Sequence, residues 1–133
     1  MREYSLPLRV YIEDTDAGGI VYYVNYLKFM ERARTEWMRA AGYGKTAIFS
    51  HDSMFVVTET AVKYLKPATL DDELVVTAAV SSVRGVGITF EQSVRRGSDI
   101  LCQGTVQVAC VDRQSLKPRR IPADMRAQLQ NGE

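Results

Sequence analysis

One feature constrains the fold of this chain more than any other. It is a long segment with the periodicity of an amphipathic helix, followed by four segments in which apolar and polar residues alternate. Between residues 24 and 41, apolar side chains recur at spacings of three and four, which is the period of an α-helix. The residues of this stripe are Tyr26, Phe29, Met30, Ala33, Trp37 and Ala40. Gly42 and Gly44 follow where a left-handed helix cap is expected. A lone helix with one apolar stripe has to bury that stripe against a second layer.

Alternation of apolar and polar residues predicts that the second layer is a sheet. Strands are expected over residues 6–12, 54–64, 73–83, 87–96 and 99–112. The connections at residues 84–86 and 97–98 are short enough for hairpins, so these strands should be antiparallel. A short final helix is expected over residues 122–130, with a proline at its start. The sequence therefore predicts an α+β fold, in which a five-stranded antiparallel sheet wraps a long central helix.

Length, charge and hydropathy limit the class of protein. The 133 residues fit one ordinary domain, so we expect a single domain over residues 1–133. The 17 basic and 16 acidic residues nearly cancel, which gives no electrostatic reason to expect nucleic-acid binding. No segment approaches the ~20 apolar residues that span a bilayer, so we expect no stable membrane insertion.

The expected location is the cytoplasm. The first residues lead directly into a predicted strand and lack the apolar core of a signal peptide. Cys102 and Cys110 lie in one predicted strand, roughly 26 Å apart at the usual rise per residue. This separation is too large for a disulfide, so both thiols should be reduced.

The segment between the first strand and the helix carries the residues best suited to catalysis. Residues 13–19 read EDTDAGG, a cluster of turn formers that predicts a loop. Asp16 lies there just before the helix, where a carboxylate could act as a nucleophile or a general base. Gly18 and Gly19 allow a substrate to approach the backbone because no Cβ intervenes. The first helical turn adds unpaired N–H groups at the positive end of the helix dipole, which suit a developing oxyanion.

The same segment resembles a known family signature. Residues 11–26, YIEDTDAGGIVYYVNY, are similar to the motif of the 4-hydroxybenzoyl-CoA thioesterase-like family, especially its Tol–Pal-associated acyl-CoA thioesterase branch. The helix continuation LKFMERARTEW and the later phrases VKYLKPA and DDEL match that branch as well. The resemblance implies the hotdog fold and hydrolysis of acyl-CoA thioesters, with no cofactor expected. It also implies that Asp16 is the catalytic carboxylate and that the backbone N–H of Tyr23 polarises the thioester carbonyl.

Asp14 and Tyr23 of the motif, and the single histidine of the chain, need separate interpretation. Asp14 is expected to order the loop by accepting backbone N–H bonds, with a direct catalytic role as the alternative. Asp14 and Asp16 form an Asp-x-Asp pair, but no His or third carboxylate follows at ligand spacing, so we expect no metal site. The Tol–Pal branch usually has histidine where this chain has Tyr23, whereas the 4-hydroxybenzoyl branch has tyrosine. His51, the only histidine, is expected to have no catalytic role, and lining a pocket is the alternative.

Additional substrate contacts are expected from side chains near the loop and along the first long strand. Tyr22 and Tyr26 lie nearest the loop and are candidates for the acyl pocket. Strict alternation lets Glu59 face the helix, where it would contact the site of its own or a neighbouring subunit. The alternative for Glu59 is an ion pair with Arg32 or Arg34.

The phosphates of coenzyme A call for basic side chains near the hairpins. The candidates are Arg84, Arg95, Arg96, Lys63 and Lys66. Glu31 stands where the 4-hydroxybenzoyl branch has an Asp that meets the substrate hydroxyl, so a hydroxybenzoyl substrate is not expected.

The apolar strand over residues 99–112 is expected to be an exposed edge of the sheet, and such an edge is an association template. Members of the family pair two sheets with the acyl sites at the subunit boundary, so we expect a homodimer or a homotetramer. The acyl donor is expected to be acyl-CoA, and an acyl carrier protein is the alternative. Two other functions stay open: a hotdog dehydratase, which needs a histidine beside the carboxylate, and a non-catalytic module that binds acyl-CoA or a partner.

Overall fold

The computed structural model describes residues 3–43 and 52–131. Within them the helices and strands, with one 3-10 turn, are β1 (Glu3–Arg9), the turn Ile12–Asp14, α1 (Val24–Ala40), β2 (Ser53–Tyr64), β3 (Glu73–Arg84), β4 (Gly87–Arg96), β5 (Asp99–Asp112) and α2 (Ala123–Asn131). Both helices and β2 to β5 agree with the predicted bounds to within one residue. β1 begins and ends three residues before its predicted bounds, because the chain enters the 3-10 turn. His51 lies outside the described residues.

The strands form one antiparallel sheet in the order β1-β3-β4-β5-β2. Successive hairpins connect β3, β4 and β5, as the short connections predict. α1 packs across β1, β3 and β4, and α2 lies against β3. This arrangement confirms the predicted α+β hotdog fold with its five-stranded antiparallel sheet. Neither described helix is long and apolar enough to cross a membrane.

The predicted stripe of α1 forms the centre of the core. Its buried members are Tyr26, Phe29, Met30, Ala33 and Trp37, none more than 3% exposed. Ala40 is exposed, contrary to the prediction, and Ala41 is buried in its place because it lies four residues after Trp37 on the same helix face. The Trp37 ring packs edge-on against Phe90 of β4, with centroids 6.1 Å apart. Burying a large side chain such as Phe29 or Met30 contributes about 1.5–3 kcal/mol to the free energy of unfolding.

The expectation that residues 99–112 form an exposed edge is wrong. β5 lies between β4 and β2 and pairs with both along most of its length. Long-range pairing sets the order of strands in a sheet, and the alternation along one strand does not encode it. The edges of this sheet are β1 and β2. Of the two, β2 exposes the large apolar side chains of Val57 and Tyr64, so β2 is the candidate edge for association.

A β-bulge in β2 reverses the predicted faces of its second half. The register with β5 advances from Val57 to Glu59 on β2 for one step on β5, which leaves Thr58 as the extra residue. Val57 and Thr60 consequently line the same groove beside α1, whereas Glu59 pairs with exposed Gln107 on the other face. The expectation that Glu59 faces the helix is therefore wrong, and no described residue forms an ion pair with it.

Candidate active site

A tight hairpin precedes α1, and we call it the Asp16 loop (residues 15–21). Thr15 and Val21 pair as an antiparallel bridge. Inside this bridge the Asp16 N–H donates to the Ile20 carbonyl oxygen at 2.9 Å, and the Gly19 N–H donates to the Asp16 carbonyl oxygen at 3.0 Å. Gly19 has a φ of +84°, a left-handed conformation that glycine adopts without steric cost. The conformation of the loop thus depends on glycine at position 19.

The carboxylate of Asp16 is exposed and oriented through one of its oxygens. The Gly18 N–H donates to Asp16 Oδ1 at 2.8 Å. A Cβ at position 18 would lie 3.2 Å from the same oxygen, so glycine leaves room for this bond. Oδ2 of Asp16 has no hydrogen-bond partner among residues 3–43 and 52–131. A carboxylate with one fixed and one free oxygen can attack a carbonyl carbon or take a proton from water.

Asp14 connects the loop to the start of α1. Its Oδ2 accepts the Tyr11 N–H at 2.9 Å. Its carbonyl oxygen accepts the Tyr22 N–H at 3.0 Å and the Asn25 Nδ2–H at 2.9 Å. Asp14 therefore orders the loop by accepting backbone N–H bonds, in agreement with the sequence-based expectation.

The start of α1 presents free backbone donors next to this loop. Tyr23 precedes the helix with helical torsions, φ −56° and ψ −30°, and no side chain caps it. The first helix-type bonds are the Asn25 N–H to the Tyr22 carbonyl oxygen at 2.8 Å and the Tyr26 N–H to the Tyr23 carbonyl oxygen at 3.3 Å. The N–H groups of Tyr23 and Val24 have no acceptor in the described part of the chain. They lie at the positive end of the helix dipole and can stabilise an oxyanion.

The backbone of Ala68 anchors both pieces to the sheet. Its carbonyl oxygen accepts the Val21 N–H at 2.9 Å, and its N–H donates to the Tyr26 hydroxyl at 2.9 Å. Burial raises the pKa of Tyr26, so the phenol stays neutral and can accept this bond. Tyr26, a predicted contact for the acyl group, is 3% exposed and packs edge-on against Phe29.

A carboxylate next to this anchor fixes the turn before β3. Asp72 Oδ2 accepts the Thr69 N–H at 2.8 Å and the Arg96 Nη1–H at 2.7 Å. Burial alone would raise the pKa of Asp72, but the hydrogen bonds from Thr69 and Arg96 outweigh it and the pKa is lowered. Thr69 also forms a β-bridge with Ile20 of the Asp16 loop. The Asp72–Arg96 pair therefore stabilises the segment on which this loop rests.

A groove leads from the start of α1 along the side of the helix that faces β2. Its first cavity, of about 230 Å³, is lined by Val24, Leu27, Val57, Thr60 and Val106, with Lys28, Glu31 and Arg34. A second cavity, of about 330 Å³, continues toward Met38 and Phe90 and shares Glu31, Arg34 and Val57 with the first. The two cavities form a continuous, mainly apolar surface that begins beside the free N–H groups. We call this surface the α1–β2 groove.

Comparison with known proteins shows the family of this chain. A profile described as thioesterase-like superfamily matches residues 10–129. The acyl-CoA thioesterase YbgC of Haemophilus influenzae is 45% identical over 125 residues, which cover 93% of this chain and 92% of that protein. The chain belongs to the thioesterase-like superfamily.

Two further relatives support the assignment to this superfamily. The acyl-CoA thioester hydrolase YbgC of Escherichia coli O6:H1 is 40% identical over 127 residues, 95% of each chain. The crystal structure of a probable thioesterase from Bartonella henselae superposes with a TM-score of 0.86 at 32% identity, and the match covers 90% of this chain and 99% of that one.

The sequence analysis did not single out one aromatic residue that lies beside the start of α1. The Tyr64 ring, at the end of β2, lies 6.0 Å from the Tyr23 ring and 5.6 Å from the Tyr26 ring, measured between centroids. Tyr22 extends the cluster, 5.1 Å from Tyr23. Burial raises the pKa of Tyr64, so its hydroxyl stays protonated at neutral pH. The available signal was its place in the VKYLKPA phrase that matched the family.

The structure brings some predicted site residues of this superfamily member together and separates others. Asp16, Gly18, Gly19, Tyr22, Tyr23 and Tyr26 surround the loop and the start of α1. Arg84 ends β3 eleven residues after Glu73, roughly 36 Å from the loop end of that strand. Arg95 is exposed and donates from Nε to Ser93 Oγ at 3.2 Å, on the sheet face opposite α1. Within one protomer, Glu59, Arg84 and Arg95 therefore do not converge on Asp16.

The Asp72–Arg96 pair predicts a pH-dependent loss of stability. Because the pKa of Asp72 is lowered on folding, its contribution is complete above the ordinary aspartate pKa and is lost as the pH falls through the lower folded value. Asp72→Asn should reduce the free energy of unfolding at pH 7 by about 1 kcal/mol or less, since both side chains are partly exposed. Urea unfolding should show this difference shrinking below about pH 4. Asp71→Asn is the matched control, and an equal difference at all pH values would contradict the account.

Proposed function

We propose that this protein hydrolyses acyl-CoA thioesters to the free acid and coenzyme A. The observation that carries the proposal is an exposed carboxylate, Asp16, held on a loop that runs directly into free N–H groups at a helix start. The names of the relatives support it, because the proteins of Haemophilus influenzae and Escherichia coli are called acyl-CoA thioesterase or thioester hydrolase. A carboxylate and an oxyanion donor are the two elements that thioester hydrolysis needs.

In the proposed mechanism the thioester carbonyl oxygen accepts the backbone N–H of Tyr23. The carbonyl carbon is then attacked either by an oxygen of Asp16 or by a water that Asp16 deprotonates. The C–S bond breaks, the sulfur leaves as the thiolate of coenzyme A and takes up a proton, and the acyl carbon gains one oxygen. If Asp16 attacks directly, water afterwards hydrolyses the acyl-aspartyl anhydride. Removing one oxyanion donor typically costs ~3–4 kcal/mol in the barrier, so the Tyr23 N–H supplies a large part of the rate.

The surrounding residues have supporting roles in the proposal. Gly18 and Gly19 leave the loop backbone open to the substrate, and Gly18 also orients Asp16. Tyr22 is 46% exposed and forms the outer wall of the thioester site. Tyr26 lies in the core behind this site, where its hydroxyl accepts the Ala68 N–H and positions the start of α1. The acyl chain enters the α1–β2 groove, which starts at Val24.

In an assembly, a neighbouring protomer supplies further substrate contacts. We assign these contacts to Glu59, Arg84 and Arg95. A substrate at the Asp16 loop of one protomer is too far from Arg84 of that protomer, as the length of β3 requires. A second protomer that pairs along β2 would add its own basic and acidic side chains near the first site. Arg84 and Arg95 would then serve the phosphates of coenzyme A.

A cytoplasmic location is part of the same proposal. Cys102 and Cys110 are both buried free thiols, as is usual in a reducing compartment. Burial raises the pKa of Cys102 to about 12, so its thiol is unreactive at neutral pH.

We propose that the protein is a homodimer or a homotetramer. β2 is an edge strand with large apolar side chains exposed, since Val57 is 53% and Tyr64 is 46% accessible. Sedimentation equilibrium should give at least twice the protomer mass of 14.9 kDa at micromolar concentration. A mass of 14.9 kDa at every concentration would contradict the proposal.

Replacement of the carboxylate tests the catalytic assignment. Asp16→Asn keeps the shape and the Oδ1 bond from Gly18 but removes the charge, so thiol release from acyl-CoA should fall at least a hundredfold. Glu13→Gln is the matched control, because Glu13 is an exposed carboxylate three residues away with no assigned contact, and its rate should be unchanged. Free thiol is measured with a series of acyl-CoA esters of different length, and with one acyl carrier protein ester.

Each outcome of this experiment has a distinct meaning. Undiminished activity of Asp16→Asn would show that another group performs the chemistry. Tight binding of acyl-CoA by the wild type without hydrolysis would favour a non-catalytic binding module.

A further inference from the structure

Arg34 is a charged side chain in the middle of the mainly apolar α1–β2 groove. It is half-buried, and its Nη1–H donates to Gln92 Oε1 at 2.9 Å. The Gln92 Nε2 group donates to the Met30 carbonyl oxygen at 2.9 Å and to the Thr77 carbonyl oxygen at 3.2 Å. Gln92 is buried, and these bonds fix its amide with the oxygen toward the groove. The helix and the sheet therefore hold Arg34 in place rather than leave it to solvent.

Most of the hydrogen-bonding capacity of Arg34 is unused. A guanidinium has five N–H donors, and the bond to Gln92 uses one of them. No other acceptor and no carboxylate within 4.0 Å serves Arg34 among residues 3–43 and 52–131. Burial lowers the pKa of Arg34, and the negative charge of Glu31 offsets this shift only in part, so keeping the charge beside apolar surface has a net cost. An acceptor in the groove would remove that cost.

The charges along the groove favour an anionic acceptor. The charged residues that line its two cavities are Lys28, Glu31, Arg34 and Arg113. Three of these four side chains are cationic, so the groove is net positive although the whole chain is almost neutral. The planar fork of an arginine matches a carboxylate with two parallel hydrogen bonds. A carboxylate is thus the group that best fits the unused donors.

The position of Arg34 sets the length of a ligand that starts at the thioester site. Arg34 lies ten residues after Val24, which is about 15 Å along the helix axis. Helical side chains lean back toward the N-terminus by about one turn, ~5 Å, so the guanidinium lies roughly 10 Å from the helix start. The hydrogen bond to the guanidinium takes up ~3 Å of this distance, and an extended chain advances ~1.2 Å per bond, so about six bonds, or seven carbons, span the rest.

We propose that Arg34 is a specificity-determining residue that binds a carboxylate at the far end of the acyl chain. The preferred substrates are then coenzyme A thioesters of dicarboxylic acids with roughly six to eight carbons. The inference rests on the proposed acyl-CoA hydrolysis and adds the class of acyl group. A groove lined only by apolar side chains favours a methyl terminus, whereas a half-buried guanidinium with unused donors favours a carboxylate over a methyl terminus.

The test compares two esters of equal length, octanoyl-CoA and the CoA monoester of octanedioic acid. Wild type should show a kcat/KM at least tenfold higher for the ester with the terminal carboxylate. Arg34→Met should remove this preference, so that the ratio of kcat/KM for the two esters falls to about one or below, and Arg34→Lys should keep part of it. Arg32→Met is the matched control, because Arg32 is exposed on the same helix and lines a different depression beside Leu6. The ratio of the two esters should be unchanged in Arg32→Met.

The outcomes separate this inference from the proposed function. Wild-type hydrolysis of both esters at equal rates, or a preference for octanoyl-CoA, would overturn the role of Arg34 and leave the thioesterase function intact. This wild-type ratio decides the question even if Arg34→Met does not fold. If neither ester is hydrolysed, the proposed function fails, and calorimetric binding of the two esters then tests Arg34 directly. Equal affinities for both esters would overturn the inference.

Discussion

The two backbone hydrogen bonds of Ala68 hold the rest of the site together. One bond ties the Asp16 loop to the segment before β3, and the other ties the first turn of α1 to the same residue. Ala68 is fully buried, so breaking either bond would leave a polar group unpaired at a cost of about 1–3 kcal/mol. The distance between the Asp16 carboxylate and the free N–H groups of α1 is therefore set by the core and not by the loop alone. Preorganisation of this kind is what an oxyanion site requires.

The features that sequence predicted well are those with local causes. The period of α1 and the alternation of β3, β4 and β5 determine their bounds almost to the residue, because side-chain burial repeats along each element. The turn after Asp16 depends on the positive φ of Gly19, a conformation that few residues other than glycine adopt. The family signature in the same segment added the role expected of Asp16, which spacing alone leaves open among capping, turn formation and catalysis.

The features that sequence did not predict depend on contacts distant in the chain. The bulge at Thr58 adds one residue to β2, and alternation in β2 alone does not reveal it because the register with β5 decides where it falls. Its consequence is large, since Glu59 moves to the face opposite α1. The place of β2 at the edge, and the pairing of Arg34 with Gln92, likewise arise from elements that meet only in the folded sheet.

The site that results has three chemically different parts in one line: a carboxylate with a free oxygen, an apolar groove, and a guanidinium with unused donors. In the proposed mechanism the thioester carbonyl lies between Asp16 and the start of α1. A crystal structure with a CoA analogue in which a methylene replaces the sulfur tests this claim most directly, because the carbonyl is kept and hydrolysis is prevented. The account predicts the carbonyl oxygen about 3 Å from the Tyr23 nitrogen, with Asp16 beside the carbonyl carbon. A carbonyl bound on the other face of the sheet, away from Tyr23 and Asp16, would contradict it.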